Sequence, residues 1–437
     1  MNIPQSEIPR IVIVGAGFAG LMLARKLVKH SFQIVLIDKN NYHQFQPLFY
    51  QVAMAGLEPS TISFPLRRIL RSDAKVFIRI AEALAIDPVA KTLTTDIGSV
   101  KYDYLVLATG AKTNFFGNKN IEQITLTLKS LSEALLVRNT ILDHYESALV
   151  EEDNDKKQGY VDIVIIGGGP AGVELAGSLA EMKRYILPKD YNELNPKEVD
   201  IYLIEANSRV LATMSLKSSQ VAERYLSKMG VMVLKNNRVS NVDADFVYLQ
   251  DGSKIMSKNV IWTAGLTGAI IPGLPVEVIT KNNRISVNEF NQVLGHPSIF
   301  VLGDLAYHES LKYPQGHPQV AQTAIQQAAN LAYNLKRKNK PGYVWRPFKY
   351  RNLGTLATIG RNKAVAEFGW ISFYGFFAWL IWLFVHLFQL LGVRNKIFVF
   401  INWVSNYISY DQALRFIIKP KKDFRSELKS EKPNSTS

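Results

Sequence analysis

The feature that most limits how this chain can fold is a glycine pattern, G-x-G-x-x-G, which occurs twice, each time after a short apolar run. In the first copy the run at 11–14 leads into Gly15, Gly17 and Gly20. Gly15 permits a tight turn, Gly17 lets the backbone approach a pyrophosphate, and Gly20 lets the following helix pack closely on the strand. The helix N-terminus then presents unpaired N–H groups to the phosphates. The pattern predicts a strand–turn–helix unit that binds a dinucleotide.

The second strand of this first unit ends in an acid, which makes the pattern more specific than the glycines alone. Asp38 closes the strand and can accept both hydroxyl hydrogens of an adenosine ribose. We expect Asp38 and the neighbouring Lys39 to contact the nucleotide.

The second copy of the pattern lies further along the chain, at Gly167, Gly169 and Gly172, and we refer to the two units as the first and second cradles. Its second strand ends near Glu205, after a stretch at 185–198 that resembles an inserted loop. Glu205 is either the ribose ligand of a second dinucleotide or an ordinary surface acid. As a ribose ligand, its carboxylate repels a 2′-phosphate, which favours NADH over NADPH.

Two further apolar stretches, 104–110 and 258–265, each end in a turn of small residues. Taken alone, either stretch is simply a buried strand. Because each one follows a nucleotide unit, we interpret them as the strands that complete the two sheets. Their turns would then bring backbone to the dinucleotides at Thr109, Gly110, Ala264 and Gly265.

Another strand run, 298–308, carries Gly303 and Asp304 at its end and precedes a helix that we expect to start near Pro318. Asp304 is either a turn residue or a carboxylate that bonds a ribityl hydroxyl of a flavin. In the second interpretation, the helix N-terminus points at the flavin ring, where its N–H groups stabilise negative charge.

The composition excludes several classes of function. The 437 residues contain no Cys, so cysteine-based reduction and thiolate metal sites are ruled out, and we predict no metal. The net charge of +14 comes mostly from residues 336–437, which hold 18 Lys and Arg against 5 Asp and Glu. Because this charge is confined to one module, it indicates one partner for that module and no nucleic acid. The first ten residues lack the features of a signal peptide, which indicates a cytoplasmic body.

The two complete fingerprints together resemble the two-dinucleotide-binding flavoprotein superfamily, in which FAD takes the first cradle and NAD(P)H the second. Three stretches narrow the resemblance to the type II NADH:quinone oxidoreductases. The stretch 41–53, which contains Pro47 and Gln51, is similar to the loop that this family places beside the flavin. The stretch from Ala321 to Gln326 matches the family's quinone-site motif, A-Q-x-x-x-Q. The stretch 348–365 is similar to the segment that leads into the family's C-terminal membrane-binding part. The chain departs from the family at Asn352, where we expect Asp, and this weakens a role in proton supply there.

The resemblance implies an enzyme that oxidises NADH through FAD and passes two electrons to membrane quinone, feeding a respiratory chain without pumping protons. It places quinone beside Gln322 and Gln326, which share one face of a helix, with Ala321 small enough to admit a flat ring. Their amides can donate to quinone carbonyls; the alternative is two solvated glutamines. It places Glu174 near the nicotinamide and flavin, to orient the nicotinamide or relay a proton; the alternative is a first-turn helix acid.

A run of 26 residues without a formal charge, 368–393, is long enough to span a bilayer. Against a span, Trp379 and Trp382 would lie near the midplane, and His386 and Gln389 would be unpaired in lipid. We favour a helix in the membrane plane; a span and a buried dimer core are the alternatives. Lys-rich runs at 336–340 and 419–422 would then meet anionic lipid.

The sequence thus predicts an α/β fold with two Rossmann-like domains, for FAD and NADH, and a C-terminal α-helical membrane-anchoring region. The expected boundaries are 1–125 and 286–345 for the FAD domain, 126–285 for the NADH domain and 346–437 for the membrane region. We expect a peripheral enzyme on the cytoplasmic face of the cell membrane, and the sequence leaves a homodimer open. A soluble NADH-dependent reductase of ferredoxin or rubredoxin is the main rival function, and a redox sensor is another.

Overall fold

The structure is a computed structural model, and it describes residues 1–70, 75–412 and 414–418. The helices of these ranges are α1 (Phe18–Leu27), α2 (Phe49–Ala53), α3 (Leu66–Ile69), α4 (Lys119–Ile124), α5 (Leu131–Val150), α6 (Asn154–Val161), α7 (Pro170–Tyr185), α8 (Leu187–Asp190), α9 (Leu216–Lys228), α10 (Ala321–Leu335), α11 (Phe376–Gln389) and α12 (Val393–Ser409). The strands are β1 (Arg10–Val14), β2 (Gln33–Asp38), β3 (Tyr42–Gln44), β4 (Ser63–Pro65), β5 (Val76–Ile80), β6 (Ala83–Asp87), β7 (Thr92–Thr95), β8 (Gly98–Lys101), β9 (Tyr104–Leu107), β10 (Ala111–Thr113), β11 (Leu126–Thr127), β12 (Ile163–Ile166), β13 (Ile201–Glu205), β14 (Val231–Lys235), β15 (Val239–Val242), β16 (Phe246–Leu249), β17 (Lys254–Met256), β18 (Asn259–Trp262), β19 (Leu266–Gly268), β20 (Ile285–Ser286), β21 (Gln292–Val293), β22 (His296–Val301), β23 (Ala306–Tyr307), β24 (Thr355–Gly360), β25 (Lys363–Phe368) and β26 (Ile371–Tyr374).

A six-stranded sheet with the order β21-β22-β9-β1-β2-β5 holds the first cradle. Strands β22, β9, β1, β2 and β5 run parallel, and β21 is antiparallel to β22. The apolar runs are continuous because the inner strands are covered on both faces, as is usual for parallel sheets. The predicted strand at 104–110 is confirmed as β9, which pairs directly with β1.

A five-stranded parallel sheet, β11-β18-β12-β13-β14, holds the second cradle, and the predicted strand at 258–265 is confirmed as β18. The antiparallel pair of β10 and β19 joins the two units. The stretch at 185–198 is not the plain loop that we predicted. It contains α8, with Pro188 in its first turn, where a missing N–H costs nothing, and a 3-10 turn at Pro196–Glu198.

The C-terminal part begins with a three-stranded antiparallel sheet, β24-β25-β26, that packs on α7. A Cβ added to Gly177 would lie 1.8 Å from the Ile359 carbonyl oxygen, so this contact requires glycine. The uncharged run at 368–393 is not one helix. Gly369 and Gly375, with φ of 62° and 69°, bracket β26, and α11 has only 14 residues, about 21 Å of helix. None of the helices in the described ranges is both long enough and apolar enough to cross a bilayer.

The helices α11 and α12 form a pair that we call the hairpin, and its two sides differ. The inner side packs on the protein body through residues such as Trp382 and Val399, which are 1% and 0% exposed. We define the outer apolar face by the exposed apolar residues of the pair: Phe376, Phe377, Leu380, Phe384, Phe388, Val393, Ile397, Phe398, Phe400, Ile401, Val404 and Ile408. Trp382 therefore lies in the protein interior. The Lys-rich run at 419–422 lies outside the described residues.

Candidate functional site

A cavity of about 530 Å³ lies at the carboxyl ends of the first sheet's strands, and we call it the first-cradle cavity. Such crevices are where open α/β sheets bind their ligands. Among the residues that line it are many of the predicted cofactor ligands: Gly15, Gly17, Asp38, Lys39, Pro47, Thr109, Gly110, Gly303, Asp304 and Ala321. Sequence reasoning missed Lys129, which also lines this cavity and lies close enough to Asp304 to lower its pKa, although burial raises that pKa overall.

The three glycines of the first cradle have the different roles that the pattern predicts. A Cβ on Gly15 would lie 2.3 Å from the Ala108 carbonyl oxygen, and one on Gly20 would lie 1.8 Å from the Gly15 carbonyl oxygen. Both positions therefore serve close packing of the chain on itself. A Cβ on Gly17 would meet no protein atom within 4 Å and would project into space beside the cavity wall. That space fits a pyrophosphate.

The second cradle repeats this geometry. A Cβ on Gly167 would lie 2.8 Å from the Ala264 backbone nitrogen, and one on Gly172 would lie 1.9 Å from the Gly167 carbonyl oxygen. Gly169 again has no protein atom within 4 Å of its Cβ position. Gly265 follows in the left-handed region, with φ of 70°. The turn at Ala264 thus packs against Gly167 in the same way that the turn at Ala108 packs against Gly15.

The two predicted ribose acids also occupy matching positions. Asp38 accepts hydrogen bonds from the backbone nitrogens of Ala16 (2.6 Å) and Asn40 (2.7 Å). Glu205 accepts them from Gly168 (2.7 Å) and Asn207 (2.8 Å). Each carboxylate is held at the end of its second strand, beside the glycine turn. The residues present fit two dinucleotides.

The helix beyond Asp304 begins later than we predicted. It starts at Ala321 instead of near Pro318, because Val320 is still extended, with φ of −136°. Its N-terminus borders the first-cradle cavity, and Gln319 Nε2 donates to the Asp304 carbonyl oxygen over 3.0 Å. Sequence reasoning missed the role of Gln327, which is fully buried and accepts a hydrogen bond from the Gly303 nitrogen at 2.7 Å. Gln327 thereby holds the turn that presents Asp304.

Gln51 does not lie at the first-cradle cavity, where we predicted it. Its Oε1 accepts a hydrogen bond from Trp403 Nε1 (2.7 Å), and its Nε2 donates to the Tyr50 hydroxyl (2.8 Å). It lines a separate cavity of about 140 Å³ between α2, α7, β24 and the hairpin, which we call the hairpin cavity. Pro47 lines the first-cradle cavity, whereas Gln51, one turn later, contacts α12. A sequence match to the loop could not separate the two.

Glu174 is buried where α7 meets β24 and the hairpin. One carboxylate oxygen accepts hydrogen bonds from the Thr358 nitrogen and from Trp382 Nε1, each at 3.3 Å. Burial raises the pKa of Glu174 to about 8, although these two donors act to lower it. The carboxyl group is therefore able to take up and release a proton near neutral pH. Trp382 was not predicted as its partner, because the two residues are 208 positions apart.

Gln322 and Gln326 each form a reciprocal pair with the backbone of the 351–354 segment. Gln322 donates to the Gly354 carbonyl oxygen (3.0 Å) and accepts from the Leu353 nitrogen (2.8 Å). Gln326 makes the same two bonds with Arg351, at 2.8 and 3.0 Å. Their amides are therefore not left to solvent. Each Nε2 keeps a second hydrogen, and its donation to a quinone carbonyl stays a prediction.

A third cavity, of about 480 Å³, lies between α1, α10 and the turn of the hairpin, and we call it the α1 cavity. It is lined by Phe18, Leu21, Met22, Arg25, His43, Ile325, Phe388, Gln389, Leu390, Leu391, Gly392, Val393 and Lys396. Phe388 and Val393 also belong to the outer apolar face, and Phe18 also lines the first-cradle cavity. The α1 cavity therefore extends from the outer apolar face to the wall of the first cradle.

Comparison with known proteins agrees with this geometry. Residues 9–328 match the family model described as pyridine nucleotide-disulphide oxidoreductase, and residues 352–409 match the NDH2 C-terminal domain. The NDH2 of Plasmodium falciparum, solved in complex with NADH, has the same fold, with a TM-score of 0.86 at 20% identity, over 94% of this chain and 100% of that one.

Two curated relatives come from Mycobacterium tuberculosis. The type II NADH:quinone oxidoreductase NdhA is 36% identical and covers 91% of this chain and 87% of its own length. The type II NADH:quinone oxidoreductase Ndh is 32% identical, with coverage of 93% and 90%. On the strength of this likeness and of the two cradles, the chain belongs to the family of type II NADH:quinone oxidoreductases, with FAD and NADH as its cofactors.

Proposed function

We propose that the NADH:quinone oxidoreductase activity of this family takes place here at three adjoining sites. FAD occupies the first cradle, NADH the second, and quinone enters through the α1 cavity. When bound, FAD supplies the two-electron chemistry that links NADH oxidation to quinone reduction. The chain's own residues bind and orient the cofactors: Gly17 and Gly169 leave room for the pyrophosphates, Asp38 and Glu205 bind the riboses, and the N-terminus of α10 faces the flavin.

The observation that carries this proposal is the position of Phe18. This side chain borders both the first-cradle cavity and the α1 cavity. A flat apolar ring that enters from the outer apolar face would therefore reach the wall of the flavin site without crossing water. Ile325 lines the same cavity on α10, three positions after Gln322 and one before Gln326.

We also propose that the outer apolar face attaches to a membrane surface on the cytoplasmic side. Phenylalanine and isoleucine side chains make up most of this face. An exposed apolar surface of this kind, rich in aromatic residues, is typical of a helix that lies on a membrane. Arg25 and Lys396 line the α1 cavity, and we propose that they meet anionic headgroups there. In the run at 336–340, Lys338 donates to the Tyr104 hydroxyl (2.6 Å), and contact of this run with anionic lipid stays a prediction. A homodimer stays a prediction.

The domain boundaries predicted from the sequence are consistent with the sheets. Strands of the first sheet come from 10–107 and 292–301, and strands of the second come from 126–262. We propose 1–125 with 286–345 as the FAD domain, 126–285 as the NADH domain and 346–437 as the membrane region.

Filling the α1 cavity tests the quinone route. Ile325→Trp should lower kcat/KM for a lipid-soluble quinone by about tenfold or more, because the indole occupies the space of the ring. Reduction of a small water-soluble dye by NADH should change less than about twofold, since it does not use this route. Ile325→Leu, which conserves volume, is the matched control. An Ile325→Trp enzyme with full FAD content and unchanged quinone kinetics would place the route elsewhere.

Cofactor choice tests the second cradle. Glu205→Gln keeps the side-chain length and a hydrogen-bond acceptor, but it removes the charge that repels a 2′-phosphate. We expect the NADPH to NADH ratio of kcat/KM to rise by about tenfold. Asp38→Asn is the matched control in the first cradle and should leave this ratio unchanged. A ratio that stays the same in Glu205→Gln would assign the ribose to another residue.

A further inference from the structure

The balance of the reaction requires a proton from outside. Oxidation of NADH by quinone consumes NADH, quinone and one H⁺ and yields NAD⁺ and quinol. The hydride carries two electrons and one proton, whereas the quinol gains two electrons and two protons. The second proton must come from solvent, yet the hairpin covers the side of the protein where Glu174 lies.

We propose that Glu181, Ser178 and Tyr50 line the path by which this proton travels from solvent through the hairpin cavity to Glu174. This inference rests on the proposed function, and it adds that Glu174 is the group that exchanges a proton with the reaction. It assigns Glu181, Ser178, Tyr50 and the hairpin cavity to proton supply, which the activity alone does not specify.

The spacing of the three α7 residues puts them on one helix face. Ser178 follows Glu174 by four positions and Glu181 follows Ser178 by three, the two intervals that bring side chains together on an α-helix. This face packs against β24 and the turn after it. Glu174 accepts a hydrogen bond from the Thr358 nitrogen, and Glu181 accepts one from the Arg361 nitrogen. The two carboxyl groups are thus held at two points along the same segment.

The hairpin cavity lies beside these groups. Tyr50, Ser178 and Glu181 all line it, and so do Thr358 and Trp382, the two hydrogen-bond donors to Glu174. A volume of about 140 Å³ has room for several water molecules, each of which needs about 10–15 Å³ by this measure. The polar side chains on its wall provide the partners that such waters require.

Tyr50 lies within electrostatic reach of both carboxyl groups. Burial is the main reason that its pKa is raised, but the charges of Glu174 and Glu181 both add to the shift. Its hydroxyl oxygen accepts a hydrogen bond from Gln51 Nε2, so the hydroxyl hydrogen remains free to donate within the cavity. Tyr50 is therefore placed to relay a proton between Glu181 and Glu174.

Burial of Glu181 favours the protonated form of its carboxyl group. Desolvation raises the pKa of Glu181, opposed by the Arg361 backbone hydrogen bond and by the charges of Lys363 and Arg361. From the other elements at the cavity, α11 presents Trp379 and Trp382, α12 presents Tyr407, and the segment after α12 presents Tyr410 and Asp411. Glu174 and Glu181 are therefore two carboxyl groups of raised pKa: Glu181 lines the hairpin cavity, and Glu174 is hydrogen-bonded to two residues that line it.

A purely structural role for Glu181, as an anchor for the turn at Arg361, predicts different kinetics. Transfer of hydride from NADH needs no solvent proton, whereas quinol formation does. In the full-length holoenzyme, Glu181→Gln should lower kcat for quinone by about tenfold, with a loss that grows as pH rises, because it removes a proton carrier. Anaerobic bleaching of the flavin by NADH should stay within about twofold of the wild-type rate.

Three further variants make the result decisive. Glu181→Asp should restore most of the rate and the original pH profile, and Ser178→Ala should reproduce a weaker form of the loss. Glu223→Gln, at a surface ion pair with Lys235 on the same domain, should change neither rate. The path is overturned if Glu181→Gln leaves quinone reduction and its pH profile intact, or if it slows bleaching and quinone reduction equally in a protein with full FAD content.

Glu174→Gln separates failure of the path from failure of the role taken for Glu174, whereas a wild-type enzyme that does not reduce quinone would show that the proposed function itself is wrong. If Glu174→Gln slows quinone reduction and Glu181→Gln does not, the path alone is wrong. If Glu174→Gln leaves quinone reduction unchanged, the role proposed for Glu174 is wrong, and the path to it falls as well.

Discussion

Replacing Gly17 with Val should give a folded protein that has lost FAD. A Cβ at this position meets no protein atom within 4 Å, so the added side chain clashes only with the pyrophosphate. We expect the affinity for FAD to fall by at least about a hundredfold, because the phosphates lose their close approach to the backbone and the helix N-terminus. Flavin content after purification, together with a thermal unfolding curve, measures the outcome.

Two other glycines serve as matched controls. Gly20→Val should prevent folding, because its Cβ would lie 1.8 Å from the Gly15 carbonyl oxygen. Gly169→Val should keep FAD but raise the NADH requirement steeply, since it is the corresponding position of the second cradle. A Gly17→Val protein that is yellow, with normal flavin content, would refute the assignment of the first cradle.

The second large effect concerns the outer apolar face. The triple variant Phe377→Glu, Phe384→Glu and Phe400→Glu should no longer bind vesicles. These side chains are 69%, 60% and 54% exposed, so their replacement disturbs little of the core. Burial of a Phe side chain in an apolar phase is worth about 1.5–3 kcal/mol, so loss of three of them, with three charges gained, should abolish attachment. Cosedimentation with vesicles that contain anionic lipid measures it.

Activity distinguishes this effect from misfolding. The triple variant should lose most of its reduction of long-chain quinone in vesicles, yet keep its reduction of a water-soluble dye by NADH. The control is Val89→Glu, Leu216→Glu and Val276→Glu, three exposed apolar residues away from the hairpin, which should change neither property. Deleting the chain from Gly369 onward is a poorer test, because it would also remove Trp382 from the core. A triple variant that still cosediments would contradict the membrane proposal.

The cradles could be predicted from sequence because their chemistry is local. Each needs three glycines and an acid at fixed spacing, and the contact of the third glycine with the carbonyl oxygen of the first arises within one βαβ unit. Gly15, Gly20, Gly167 and Gly172 all lie where a Cβ would strike backbone. The acids follow at the ends of β2 and β13 for the same reason. Pairing of the strands at 104–107 and 259–262 followed from the order of the units.

The C-terminal part was harder to predict because its contacts join distant residues. The uncharged run looks continuous in sequence, but two glycines with positive φ divide it into a strand and a short helix. Trp382, whose position near the midplane argued against a span, packs inside the protein and donates to Glu174. Gln51 was misplaced and the role of Gln327 was missed because neither partner is close in sequence: Trp403 lies 352 positions from Gln51, and Gly303 lies 24 positions from Gln327.

One measurement tests the central claim most directly. The full-length chain is purified with its flavin, mixed anaerobically with NADH, and then mixed with vesicles that contain a long-chain quinone, while the flavin absorption is followed. We predict that NADH bleaches the absorption and that the quinone vesicles restore it, whereas vesicles without quinone do not. Bleaching that quinone vesicles fail to reverse, or a flavin that NADH does not bleach, would contradict the assignment of this chain as an NADH:quinone oxidoreductase acting at a membrane.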